Sequence, residues 1–216
     1  MKTFIRACTL LALAALVTGC ATPPAYDYTA YREARPASIL ILPPLNETPE
    51  VKATYGMLSQ MTAPLAEAGY YVMPVALVDE TFRQNGLANA ADIHQVEPAK
   101  LREIFGADAA LYVTVVQYGS TYTLIDSSVK VEAKANLVDL RTGKLLWSGS
   151  AFATDQNSNN SGGLVGMLIT AAVKQVMNTL TDATYPVAGM ASGQLLSAGR
   201  VNGILHGPRS PQYGLE

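Results

Sequence analysis

Residues 129–137 alternate without a break, with Val129, Val131, Ala133, Ala135 and Leu137 in one set and Lys130, Glu132, Lys134 and Asn136 in the other. Successive side chains of a strand point to opposite faces, so this segment must be a strand with one face in a core and the other in water. That half-wet pattern belongs to antiparallel pairing. Arg141-Thr142-Gly143-Lys144 supplies a turn, and Leu145–Ala153 returns as the partner strand with Trp147 on its apolar face. Residues 37–43 (ASILILP) read differently. They are apolar throughout and close at Pro43-Pro44, as a strand covered on both faces would.

After that buried strand, Thr48-Pro49 is an N-cap followed by a proline at the first helical position. The spacing of Met57, Leu58, Met61, Leu65 and Ala68 predicts a helix to about Ala68, stopped at Gly69 and kinked or shortened by Pro64. Residues 70–75 (YYVMPV) then form a second strand, which makes a β-α-β unit. A short helical stretch over 76–86 follows, and a helix from Glu97-Pro98 to Gly106. Residues 109–118 are a β-branched, aromatic strand, and a softer helix runs from Tyr185-Pro186 to about Ala198. The last eighteen residues, rich in glycine and proline, read as an irregular tail or strap.

The amino terminus carries a separate message. Lys2 and Arg6 precede an uncharged run from Ala7 to Val17, and the segment ends in Val17-Thr18-Gly19-Cys20. Charge, a short apolar stretch and then small residues make a secretory signal peptide over 1–19. The run is too short to span a bilayer, which takes about 20 apolar residues. Its ending resembles the lipobox of bacterial lipoproteins, which implies cleavage between Gly19 and Cys20 and a diacylglyceryl group on the Cys20 thiol. Ala21 stands where Asp commonly retains lipoproteins in the inner membrane, so the expected destination is the outer membrane. Residues 20–36 then read as the lipidated cysteine and a flexible linker, bounded by Pro23, Pro24 and Pro36. Residues 37–198 read as a single domain and 199–216 as its tail.

Once Lys2 and Arg6 leave with the signal, 13 basic residues face 17 acidic ones, a net charge of about −4. No basic block remains for nucleic acid. Cys8 leaves too and Cys20 takes lipid, so the exported domain has no disulfide. The two histidines, His94 and His206, stand in unrelated segments, and neither lies at metal-ligand spacing. Ser192 in GMASG is displaced by one position from a nucleophile elbow. GGLVG at 162–166 lacks the order and the lysine of a phosphate loop. The pattern predicts no enzyme, no metal and no cofactor. Charged residues are only 15% of the chain, against a usual ~25%. Leu164–Val173 carries no charge over ten residues. This predicts a helix over Leu164–Leu180 with more apolar surface than one sheet face covers, and Leu164, Met167, Leu168 and Ile169 as a candidate interface for a homo-oligomer, a dimer in the simplest case.

The segments ASILILPP, LREIFGADAALYVTVVQY and NLVDLRTGKLLWSG together resemble the periplasmic α/β domains of the curli-secretion protein CsgG, the penicillin-binding-protein activator LpoB and the amino-terminal domain of TolB. The whole chain looks closest to a family of outer-membrane lipoproteins of unknown function that has a neisserial member. The broader resemblance spans residues 37–182. It implies an α/β fold, a mixed β-sheet with helices packed on it, with no cofactor and no catalytic residues to carry over. Unlike CsgG, the segments 119–128 and 155–163 are too short and polar to hold inserted transmembrane hairpins. The expected role is that of a non-catalytic envelope assembly or transport accessory, anchored by lipid and working through protein contacts. The alternative is a binder of small ligands or peptidoglycan fragments that uses the crevice at the carboxyl ends of the parallel strands, near Pro43–Thr48.

Overall fold

The computed structural model describes residues 25–122, 127–155 and 184–215. In chain order the elements are helix α1 (Thr29–Ala34), strands β1 (Ser38–Ile41) and β2 (Leu45–Asn46), helix α2 (Ala53–Glu67), strand β3 (Tyr71–Val72) and helices α3 (Val75–Gln84), α4 (Ala90–Ile93) and α5 (Pro98–Phe105). They continue with strands β4 (Ala109–Tyr122), β5 (Ser127–Asp139) and β6 (Leu145–Thr154), and helix α6 (Thr184–Leu196). The sheet runs β3-β1-β4-β5-β6, with β2 also paired to β4. β1 is parallel to β3 and β4, and β2 is parallel to β4. The β4–β5 and β5–β6 pairs are antiparallel. The expected mixed sheet with helices on it is therefore present. Among the described residues no helix is long and apolar enough to cross a membrane.

The two sequence patterns follow from two cores. Ile39 and Ile41 face a cluster built with Met57, Met61 and Leu65 of α2 and Val187, Ala191 and Leu195 of α6. Leu40 and Leu42 point the other way, into a cluster with Val78 and Phe82 of α3, Ile93 and Leu101. All four are fully buried, and each such side chain contributes ~1.5–3 kcal/mol. At β5, among the described residues, one face is covered: Val131, Ala133 and Leu137 join the α2/α6 core, while Lys134 and Asn136 are exposed. Trp147, 2% exposed, closes that core at the edge. A Cβ on Gly149 would meet the indole of Trp147, so a glycine two residues on is what lets the ring lie along β6.

Several boundaries moved. The helix expected from Thr48 begins at Ala53. Asn46 Oδ1 accepts hydrogen bonds from Thr48 N at 2.9 Å and Thr48 Oγ1 at 2.8 Å, holding Thr48 in a turn. Pro64 neither stops nor shortens α2 before Glu67. It lies one turn from the end, and Gly69, at φ 98°, breaks the chain direction. The second strand shrinks to two residues, although Met73 N still donates to the Ile39 carbonyl at 3.0 Å, because Pro74 caps α3. β4 and β5 outrun expectation, staying paired to Tyr122 and Ser127.

The largest correction concerns residues 25–36, expected to be a flexible linker. They dock. Tyr31 is 3% exposed, its hydroxyl 2.7 Å from that of Tyr70. Tyr70 in turn donates to the Leu205 carbonyl at 2.7 Å. Three tyrosines at positions 26, 28 and 31 provide apolar rings for packing and hydroxyls for backbone partners, which binds the segment without any apolar period. The tail partners them as a strap: Gly207 N donates to the Ala68 carbonyl and Arg209 N to that of Gly69. Here two glycine backbones approach so closely that a Cβ on Gly207 would meet Gly69.

Candidate functional site

Two acidic residues in the segments that carry the resemblance, Asp108 and Asp139, act as clamps. In Gly106-Ala107-Asp108, the Asp108 carboxylate accepts from Ala37 N at 3.0 Å and Ser38 Oγ at 3.0 Å, with Arg102 Nη1 at 3.3 Å. Ser38 Oγ accepts from Asp108 N in return, also at 3.0 Å. Asp108 thus staples the entry of β1 to that of β4. Burial pushes its pKa up, but the hydrogen bonds from Ala37, Ser38 and Arg102 prevail and hold it below the ordinary value. Asp139, 3% exposed, does the same for the Arg141–Lys144 turn. It accepts from Thr142 Oγ1 at 2.6 Å and Arg141 Nε at 3.3 Å. Its burial is likewise outweighed, first by the Thr142 hydrogen bond, so its pKa is lowered.

The histidines are equally occupied. His94 is half-buried. Its Nε2 lies 2.9 Å from the Pro43 carbonyl oxygen, and its ring meets Tyr112 edge-on at 5.2 Å. Burial lowers its pKa, against the Pro43 hydrogen bond, so the ring is neutral at pH 7 and Nε2–H donates. His206 Nδ1 is 3.1 Å from Ser210 Oγ in the strap. Among the described residues no three His, Cys, Asp or Glu side chains gather at a metal-binding distance.

The crevice expected at the carboxyl ends of the parallel strands exists as a cleft of about 530 Å³. Its walls include Pro43, Leu45 and Asn46 after β1, Thr54 and Tyr55 of α2, Asp79 of α3 and residues 88–91. On its rim Arg83 Nη2 sits 2.7 Å from Asp79 and 3.2 Å from Tyr55 Oη. Glu47 adds a second carboxylate. The cleft is open and mildly acidic, with an aromatic edge.

A second surface surrounds α1. Tyr26 N donates to Asn202 Oδ1 at 3.0 Å, Tyr26 Oη accepts from Ser148 N at 3.0 Å, and Tyr28 Oη donates to the Gly203 carbonyl. Hollows flank the helix. Arg32 and Arg35 line one with Tyr31 and Tyr70; Arg141 and Lys144 line another with Ala30 and Ala34. Arg200 shares a third with Tyr26. Sequence reasoning passed over this basic surround because its members come from three distant segments. The remaining predicted site residues, Gly19, Cys20, Leu164, Met167, Leu168 and Ile169, lie outside the described residues, as does the helix expected over Leu164–Leu180.

The family model described as "Putative lipoprotein GNA1162-like" matches residues 26–209. The chain belongs to the GNA1162-like lipoprotein family. The match begins at Tyr26, the first docked tyrosine, in keeping with α1 being part of the fold. A relative from Neisseria meningitidis serogroup B, "Putative lipoprotein NMB1124/NMB1162", is 56% identical over 186 residues, covering 86% of each chain. The crystal structure of lipoprotein GNA1162 from Neisseria meningitidis is similar at a TM-score of 0.54 and 59% identity, over 66% of this chain and 99% of that one. The LpoB C-terminal domain of Salmonella enterica lies further off, at 18% identity and a TM-score of 0.39 over 54% of this chain and 81% of that one. The GNA1162-like family and the mixed α/β fold are thus both established, and membership supports anchoring to a membrane.

Proposed function

We propose that this GNA1162-like protein is an outer-membrane lipoprotein, acylated on Cys20, that serves envelope assembly or transport by binding protein rather than by catalysis. One observation carries the reading. The side chains with chemical potential are engaged in holding the fold: Asp108 on β1, Asp139 on its turn and His94 on Pro43. Such groups are built in for geometry, and a scaffold with fixed surfaces is what a contact protein needs. The chain's low charge, 15%, supports hidden surface and a homo-oligomeric state, for which Leu164, Met167, Leu168 and Ile169 remain the proposed interface. The cleft beside Tyr55 and Asp79 favours a second reading, a small-ligand or peptidoglycan-fragment binder.

The test begins with Cys20→Ala. This substitution should abolish incorporation of a fatty-acid probe and remove the protein from the outer-membrane fraction. Continued labelling would refute the anchor. Protein purified from membranes should then carry a protein at fixed stoichiometry, itself or a second chain. A small molecule retained instead, and lost on replacing Tyr55 with Ala, would turn the conclusion to the second reading.

A further inference from the structure

We infer that the basic surround of α1, formed by Arg32, Arg35, Arg141, Lys144 and Arg200, is seated on the phosphate-bearing surface of the membrane that holds the lipid anchor. The inference rests on the proposed acylation of Cys20. Its first support is chain length. Docking of Tyr26 to Asn202 and Ser148 leaves only residues 21–25 between the lipidated cysteine and the folded domain. Six peptide steps reach at most ~20 Å, even fully extended. A domain of about 190 residues has a radius of gyration of ~16 Å. The tether is therefore shorter than the domain is wide, and the domain cannot turn an arbitrary face to the bilayer. Whatever surrounds Tyr26 must lie at the lipid.

Charge is the second support. The chain as a whole is acidic once the signal is removed, with 13 basic and 17 acidic residues. Yet five of those basic side chains border the hollows around α1 and its Tyr26 lead-in, and all five are exposed. Their acidic neighbours there are Asp27, Glu33 and Asp139, the last of them paired with Arg141, so the basic side chains still outnumber the acidic ones. The cleft at the far ends of the parallel strands lacks this basic excess, with Glu47 and Asp79 on its walls and Arg83 on the rim paired to Asp79. Basic side chains held within a Debye length of anionic headgroups are attracted to them. The anchor supplies that proximity, and the sheet turns the acidic cleft outward.

Two exposed valines allow a direct test. Val201, 84% exposed, adjoins Asn202, to which Tyr26 is docked; Val51, 86% exposed, lies on the acidic cleft. Full-length, acylated Val201→Cys and Val51→Cys proteins, each labelled with a polarity-sensitive fluorophore, are reconstituted into vesicles of phosphatidylcholine with phosphatidylglycerol. Headgroup-attached quencher should quench the label at position 201 several-fold more than that at 51. High salt, phosphatidylcholine alone, or combined Arg32→Glu, Lys144→Glu and Arg200→Glu substitution should shrink the difference, with the melting curve confirming that the variant is folded. Flotation separates the two layers of the claim. Protein that fails to float refutes the anchor, and the seat with it. Protein that floats with both labels equally quenched, or with a difference indifferent to charge reversal, refutes the seat alone.

Discussion

At the residue scale, the carboxylates of Asp108 and Asp139 are spent on backbone geometry. Replacing Asp108 with Asn keeps the shape but removes the charge that strengthens the bonds from Ala37, Ser38 and Arg102. The expected loss is about 1–3 kcal/mol, read as a lower urea midpoint at pH 7. Both carboxylates have folded-state pKa values below the ordinary one. Their contribution is complete above pH ~4 and drains away as pH falls through the folded values. His94 is depressed as well, and for a base that means the unfolded chain takes up the proton first. A separate loss of stability should therefore begin as pH falls below ~6.5. It should vanish in His94→Gln, whose amide N–H can still reach Pro43, while the acid step below pH ~4 persists. Thermal melts from about pH 2 to about pH 8 check both. The sequence displayed these residues in recognisable motifs, but it could not say that their lone pairs were already taken.

Among the elements, those with a strong period were legible. The alternation of β5 and the apolar run of β1 each fix how many faces are covered, and both meet the cores they anticipate. α1 was not legible, because its docking uses tyrosine hydroxyls and partners such as Gly203 that lie 175 residues away. No local pattern encodes such a contact. Tyr31→Ala should cost about 3–5 kcal/mol, in the range of a large core truncation, whereas Tyr31→Phe should cost about 0.5–1.5 kcal/mol for its hydrogen bond to Tyr70. Chemical denaturation of the two variants decides this. A flexible linker at this position would leave both midpoints unchanged. The boundary error at Thr48 has a similar origin: a good N-cap residue was captured by the side chain of Asn46 two positions earlier.

For the whole molecule, two apolar layers on either side of β1 give way to a single layer at β5 and β6. Among the described residues, the sheet is therefore covered on both faces at β1 and on one face at β5. This gradient was readable from the contrast between the β1 and β5 patterns. The charge gradient was not, because Arg32, Arg141 and Arg200 come together only when the first helix, the β5–β6 turn and the tail converge. Net charge counts these residues without locating them.

The strap has a consequence in time. Tyr26, Tyr28 and, through Tyr70, Tyr31 are held by Asn202, Gly203 and Leu205, which are synthesised about 175 residues after the first of these tyrosines. Until they arrive, the leading segment lacks these partners and is held only by contacts such as Ser148 with Tyr26 and Tyr70 with Tyr31. Arrival of Asn202 and Gly203 fastens the segment and, under the proposed acylation of Cys20, cuts the loose tether from residues 21–36 to residues 21–25, which draws the body towards the membrane. A chain ended at Gly199 should hold this segment only loosely, since Asn202, Gly203 and Leu205 are gone. Limited proteolysis should then cut near Tyr26 and Tyr28, sites at which the complete protein resists.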